Sequence, residues 1–356
     1  MGIIMKLKRI LAAAAVIIFI VAMIRSCAVD SEYTDGQTLT EQPTAAPVRT
    51  LTLTAVGDCT FATDINADRS SGLVAYAEQS GTDYFFRNVR DIFAQDDITL
   101  VNFEGVISDK GTRADKQFAF RGDPSYVNIL TSSSVEASNL ANNHTLDYGE
   151  EAFADTQQIL ESNGIITCCG KRNVTVGEIN GIRVGFVGIN YLNDEMKTEL
   201  KDSIAAAKGA GAELVILSIH WGVEKSNAPE SEQIGIAHMA IDCGADIVIG
   251  THPHVLQGIE KYNGRYICYS LGNFCFGGNN NPSDKDSIIF RQTFTFNENG
   301  LVDDDNIGIF PCRISGHDSY NDYQPKIAQG EQRENIINRM TEYSAALGNA
   351  QLKFFE

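Results

Sequence analysis

Carboxylates, amides and imidazoles recur at the ends of short apolar segments in this chain: Asp58, Asn102 with Glu104, Asn143 with His144, His220, and His252 with His254. Together they make the donor set of hard-to-borderline divalent metals. One or two ions held there would lower the pKa of bound water and supply a nucleophile at neutral pH. Each piece alone is weak. Gly57-Asp58 is more often a turn. His144 has a bland reading as a helix cap. His252 and His254 point to one face only if the chain between them is extended. The clustering carries the reading, because four of the six histidines (144, 220, 252 and 254) fall at strand ends. His238 lies mid-helix among apolar neighbours and reads as structural, while His317 sits undecided in a polar loop. Trp221, the sole tryptophan, either walls the pocket or binds ligand.

The elements that must position these groups follow from periodicity. Leu51–Val56, Ile98–Phe103, Val135–Leu140, Leu214–Ile219 and Asp246–Ile249 read as strands, each running into one of the polar clusters. Tyr84–Ala94, Pro124–Thr131, Glu150–Asn163, Thr198–Lys208, Glu232–Cys243 and Asn335–Leu347 read as helices. Asn180-Gly181 between two apolar runs is a hairpin signal. Strands 288–296 and 307–314 flank a second Asn-Gly, at 299–300. Alternating strands and helices predict an α/β core, and the hairpins predict mixed sheets. Sites in such sheets form at the carboxyl ends of strands.

The 356 residues carry 46 acidic and 28 basic groups, a net charge of −18, with 43% hydrophobic residues. That is a globular composition. Residues 1–26 hold Lys6, Lys8, Arg9, Arg25 and no acid, so the remaining 330 residues stand at −22. So acidic a body excludes general phosphate-neutralising nucleic-acid binding. Lys6, Lys8 and Arg9 precede an apolar run, Ile10–Ile24, of about 22 Å as a helix. We read 1–27 as an uncleaved single-pass membrane anchor or signal segment, with the body outside the cytoplasm. Residues 28–50 then form a polar linker, 51–320 a catalytic-sized domain and 321–356 a helical extension. Secretion after cleavage is the alternative. The eight cysteines lack CxxC spacing and are expected to be mostly free thiols. No nucleotide-cradle glycine pattern and no GxSxG elbow occur.

Six stretches carry a resemblance: AVGD (55–58), VNFEG (101–105), LANNHTLDYG (140–149), IHWGVE (219–224), GTHPHVLQ (250–257) and YSLGNFCF (269–276). In order and spacing, Thr52–Phe276 resembles the bacterial capsule synthesis proteins of the CapA type, associated with poly-γ-glutamate. That family resembles calcineurin-like metallophosphoesterases. The resemblance implies a metallo-dependent phosphatase-like fold, a four-layer αββα sandwich with mixed sheets. It also implies roles: Asp58, Glu104, Asn143, His220, His252 and His254 as metal ligands, with His220 and His252 on one ion and His254 on the other. His144 would bind or protonate a leaving group, with Asp147 orienting it. Asn102, Glu224 and Asn273 would support the ligands or contact substrate. Two departures stand out. Thr60 occupies the position of an expected histidine, and Glu104 replaces a bridging Asp.

The expected function is a membrane-anchored hydrolase of a phosphoester or polymer amide, acting in capsule or poly-γ-glutamate biosynthesis with one or two divalent ions (Mn, Fe or Zn). Its partners would be an anionic envelope or capsule polymer and membrane proteins of polymer synthesis and export. The alternative is a non-catalytic, metal-containing member of such a complex that binds the anionic chain.

Overall fold

A computed structural model describes residues 47–355 except 68–69, 170–173, 192–195 and 349. The expected anchor and nearly all of the linker lie outside the described residues. Among the described residues no helix is long and apolar enough to cross a membrane.

Two mixed sheets face each other. The first is built around Arg49–Thr60, which runs parallel to Ile98–Phe103 on one side and antiparallel to Asp286–Asn297 on the other. Ala137–Asn139 and Ile166–Cys168 extend it in parallel. The second sheet has a parallel centre, Ile182–Asn190, Leu214–His220, Ile247–Thr251 and Arg265–Cys268, closed by antiparallel edge strands. One edge is the Thr175–Ile179 hairpin. Its turn residues, Asn180 and Gly181, adopt φ of 52° and 72°, the left-handed pair that suits a two-residue hairpin.

The strands read as continuous apolar runs because both faces are covered. Leu100 enters the core between the sheets, while its neighbour Val101 enters an outer core beneath helices. Ile216 and Leu217 split in the same way. The inner core joins Leu53, Ala55 and Leu100 of the first sheet to Phe186, Ile216 and Ile249 of the second. Each such side chain contributes about 1.5–3 kcal/mol on burial. Helix Gly149–Ser162 covers the first sheet through Leu160, and helices Met196–Gly209 and Ser231–Asp242 cover the second through Ile204, Ala237 and Ala240. The order helix, sheet, sheet, helix is the expected four-layer αββα sandwich. The C-terminal helix, Gly330–Ala345, joins the inner core through Ile336 and Met340.

One expected helix is absent. Tyr84–Ala94 forms only the end of a 3-10 turn, Thr82–Tyr84, then turns and the short helix Arg90–Phe93. Its apolar stripe serves an aromatic cluster instead. Phe86 packs against Phe61, Phe93 and Phe274 at centroid distances of 5.6–5.7 Å. Tertiary packing of rings with modest helix propensity overrides the helical spacing. A three-stranded sheet, Thr63–Asp64, Phe120–Gly122 and Val106–Ile107, was not anticipated. Its strands are too short to show periodicity. All seven cysteines among the described residues are free thiols.

Candidate metal centre

Register places the first ligands. Asp58 is aligned with Asn102 on one neighbouring strand and with Asn273 on the other. Both ladders slip next to Asp58, and such irregularities re-aim a side chain. Gly57 permits this geometry, since a Cβ there would sit 1.8 Å from the Gly272 carbonyl oxygen. Glu104 follows its strand end and is held by a backbone bond from its N–H to the Cys59 carbonyl, 2.9 Å. From the facing sheet come His220, at the last position of its strand, and His252 and His254, just beyond Thr251. His252 and His254 have φ of 97° and 56°. The loop is therefore not extended as the HxH reading required. Left-handed backbone in non-glycine residues is held only where its surroundings impose it.

Two donor groups result. Asp58, Glu104 and His220 each offer an atom within 4.8 Å of the others, and so do Glu224, His252 and His254. His220 and His252, which the resemblance pairs on one ion, have ring centroids 4.5 Å apart. The groups abut, since His254 Nδ1 lies 3.1 Å from Asp58 Oδ2, and within the first group His220 Nε2 lies 3.7 Å from Glu104 Oε1. Asn143 Oδ1 is 3.0 Å from His220 Nε2. Glu224, expected to support ligands or touch substrate, is exposed and completes the outer group.

The electrostatics follow from burial. Asp58 and Glu104 are both 0% exposed. Burial pushes Glu104 up to about 8, and the neighbouring Asp58 adds to the shift. Burial works the same way on Asp58, but His254, His220 and the Asn102 amide outweigh it and hold the group at about 2. His220 is driven well below its usual range by burial and by the His252 imidazole. Burial and the neighbouring His254 likewise lower His252. His254 is raised to about 9, because Glu104 and Asp58 overcome its burial. Among the described residues neither buried carboxylate is paired with a lysine or arginine, and His252 Nδ1 is buried with no hydrogen-bond partner. Two buried carboxyl groups, the imidazoles of His220 and His252 held neutral and an orphaned ring nitrogen are what a divalent cation satisfies.

A third group lies beside the donors. His144 Nδ1 is 2.8 Å from Asp147 Oδ2. Asp147 is fully buried and also accepts from Lys116 Nζ, 2.7 Å, and from the Phe120 N–H, 2.6 Å. The small sheet thus has a task, since it presents the Phe120 N–H and sets that ring 4.4 Å from His144. His144, Glu224, His254, Asn273, Phe118 and Phe120 line one cavity of about 420 Å³.

The supporting residues are tightly placed. Asn102 Nδ2 donates to Asp58 Oδ1 at 2.8 Å, and Asn273 Oδ1 lies 3.0 Å from His254 Nδ1. Thr60, where a histidine was expected, donates its hydroxyl to Glu104 Oε2 at 3.0 Å. Trp221 is not in the cavity. It is fully buried behind the second sheet, stacked on Tyr269 with its Nε1 donating to the Tyr269 carbonyl. His238 lies stacked on Tyr262 and bonded to Glu260, away from the donors. Lys116 and Asn139 were missed. Lys116 sits in a loop without periodicity. Asn139 donates to Asn102 Oδ1 at 3.0 Å, and its partner cannot be read from chain position.

The fold is that of a metallophosphoesterase-like α/β protein, and the buried Asp, Glu and His cluster is compatible with divalent metal. The chain belongs to the bacterial capsule synthesis proteins: the family model described as bacterial capsule synthesis protein PGA_cap matches residues 52–278. It is 32% identical over 222 residues to the PGA biosynthesis protein CapA of Bacillus subtilis (strain 168), covering 56% of this chain and 58% of that protein. It is 29% identical over 280 residues to the capsule biosynthesis protein CapA of Bacillus anthracis, covering 71% and 66%. The chain thus spans less than two thirds of the length of either relative.

Proposed function

We propose that the protein is a metal-dependent hydrolase acting in capsule or poly-γ-glutamate biosynthesis, held at the outer face of the cell membrane by its N-terminal segment. The observation that carries this reading is the juxtaposition of two three-residue donor groups, linked by the His254–Asp58 contact, with a cavity lined by His254, Glu224 and the Asp147-bonded His144. Asp58, Glu104, His220, Glu224, His252 and His254 would hold the ions, with Asn143 adjoining. When bound, a divalent ion polarises substrate oxygen and activates water for attack on a phosphoester or polymer amide. Asp147 orients the His144 ring through Nδ1, which directs Nε2 as the proton donor to a leaving group. Phe118 and Phe120 give the cavity an apolar wall.

One observation favours a second reading, a non-catalytic component that uses metal to hold an anionic chain. The Thr60 hydroxyl, in place of an imidazole, occupies one Glu104 oxygen.

The test uses the full chain with His144→Ala and His252→Ala. Bound metal is measured, and hydrolysis of phosphoester and γ-glutamyl substrates is assayed. His252→Ala should lose both metal and turnover, whereas His144→Ala should keep metal and lose turnover. Bound metal without turnover on either substrate class would overturn the hydrolase reading.

A further inference from the structure

A second cavity of about 560 Å³ adjoins the first and shares Lys225, Val255, Ser283 and Asp284 with it. Against the acidic character of the whole chain, this cavity gathers cations: Lys225, Lys285, Arg313 and Arg339. They are not equally neutralised. Arg339 is satisfied, because its guanidinium spans Asp284 and Asp286 at 2.6 and 2.5 Å. The others are not. Lys285 is 6% exposed, yet its ammonium donates only to neutral oxygens: Asn281 Oδ1, the Pro282 carbonyl and the Asp318 carbonyl, at 2.6–3.0 Å. Arg313 is 7% exposed and pairs with the largely exposed Asp318, but its Nε is buried with no partner. Lys225 is exposed, and its ammonium makes no hydrogen bond or ion pair among the described residues. Burying a cation without a matching anion is costly, so Lys285, hydrogen-bonded but without a carboxylate on its ammonium, and the unpartnered Arg313 Nε favour an anion beside the unpaired Lys225.

Lys225 is also fixed relative to the donor groups. It has φ of 63°, and its backbone N–H donates to the Pro253 carbonyl at 2.7 Å. Pro253 lies between His252 and His254. Glu224, the adjacent residue, belongs to the outer donor group. The Lys225 ammonium therefore stands where the two cavities join.

We propose that this second cavity is a carboxylate-binding subsite that receives a neighbouring unit of an acidic polymer chain threaded past the metal centre, with Lys225 as the gatepost contact. The inference rests on the polymer reading given above. A γ-linked glutamate chain carries one free carboxylate per residue, so a repeat beyond the one at the metal centre presents its charge to Lys225 and Arg313. The metals and this local basic rim would offset the repulsion between that chain and an acidic body.

The test is calorimetric titration of the metal-loaded full chain with γ-linked hexaglutamate and, separately, with inorganic phosphate, at low and high salt. Lys225→Ala and Lys225→Glu are run alongside Lys225→Arg. Lys225→Ala should weaken hexaglutamate binding about ten-fold and Lys225→Glu more, with Lys225→Arg restoring it and metal content unchanged. Affinity unchanged within two-fold in both the Ala and Glu variants would overturn the subsite. Inorganic phosphate binding as tightly as hexaglutamate, with the same dependence on Lys225, would overturn the carboxylate assignment. Binding is read without turnover, so a metal-loaded protein that hydrolyses nothing fails the hydrolase reading and leaves this result standing or falling by itself.

Discussion

Asp147 joins His144 to Lys116: one carboxylate oxygen lies 2.8 Å from the imidazole and the other accepts the ammonium at 2.7 Å, with no exposed surface on the acid. The lysine holds one carboxylate oxygen, and the other fixes the ring. Asp147→Asn should therefore lower turnover by about 10–100-fold with metal content unchanged. Paired metal analysis and steady-state kinetics check this. Loss of metal together with activity would show that the pair is structural instead.

The buried carboxylates give a second prediction. A divalent ion that binds only the folded chain stabilises it by mass action, about 2.7 kcal/mol at 100 times its Kd. The melting temperature should rise with added Mn²⁺ or Zn²⁺ and fall after chelation. Asp58→Asn should abolish the response, since Asp58 touches both donor groups. A wild-type melting curve indifferent to every divalent ion tried would contradict the metal centre.

Asp96 offers a test of pH dependence away from the centre. Burial pushes its carboxyl from 3.8 up to about 6, against the opposing bonds from Thr54 and Thr99. The folded protein therefore keeps a proton that the unfolded chain releases. The resulting stability is present below about pH 4 and is lost as the pH rises through about 6. Asp96→Asn should flatten that slope, so urea midpoints of variant and wild type should converge at low pH and separate in the variant's favour at pH 7. Parallel curves across the range would refute the assignment.

Gly57→Ala should be among the most damaging single-methyl additions, because the new Cβ would meet the Gly272 carbonyl at 1.8 Å. Relief requires the two backbones to part next to Asp58. We expect a loss of about 3 kcal/mol, at the upper end of overpacking costs, accompanied by weakened metal uptake. Thermal melts and metal titration of the variant measure both.

The layered architecture was legible because Leu100 and Val101, or Ile216 and Leu217, make runs that only a doubly covered strand tolerates. The donors were legible because Asp58, His220 and His252 end such runs. The grouping was not. How His252 and His254 are aimed depends on left-handed backbone at both positions, which an HxH spacing does not encode. Lys116 and Asn139 act through partners 31 and 37 positions away in the chain. Contacts of that kind follow from strand register and loop packing. The aromatic stripe at 85–93 misled for a related reason: its spacing suited a helix, but its rings were claimed by Phe61 and Phe274.

The donor set is divided between the facing sheets. Asp58 and Glu104 come from one, and His220, His252 and His254 from the other, with only the inner apolar core between them. An ion seated there is a rivet through both plates of the sandwich. The buried group, Asp58, Glu104 and His220, is complete only when both plates meet, whereas Glu224, His252 and His254 all follow strands of the second; loading of the buried group therefore reports that the two halves have closed. An ion in the buried group would then be a late checkpoint of folding, taken up only once the sandwich is assembled.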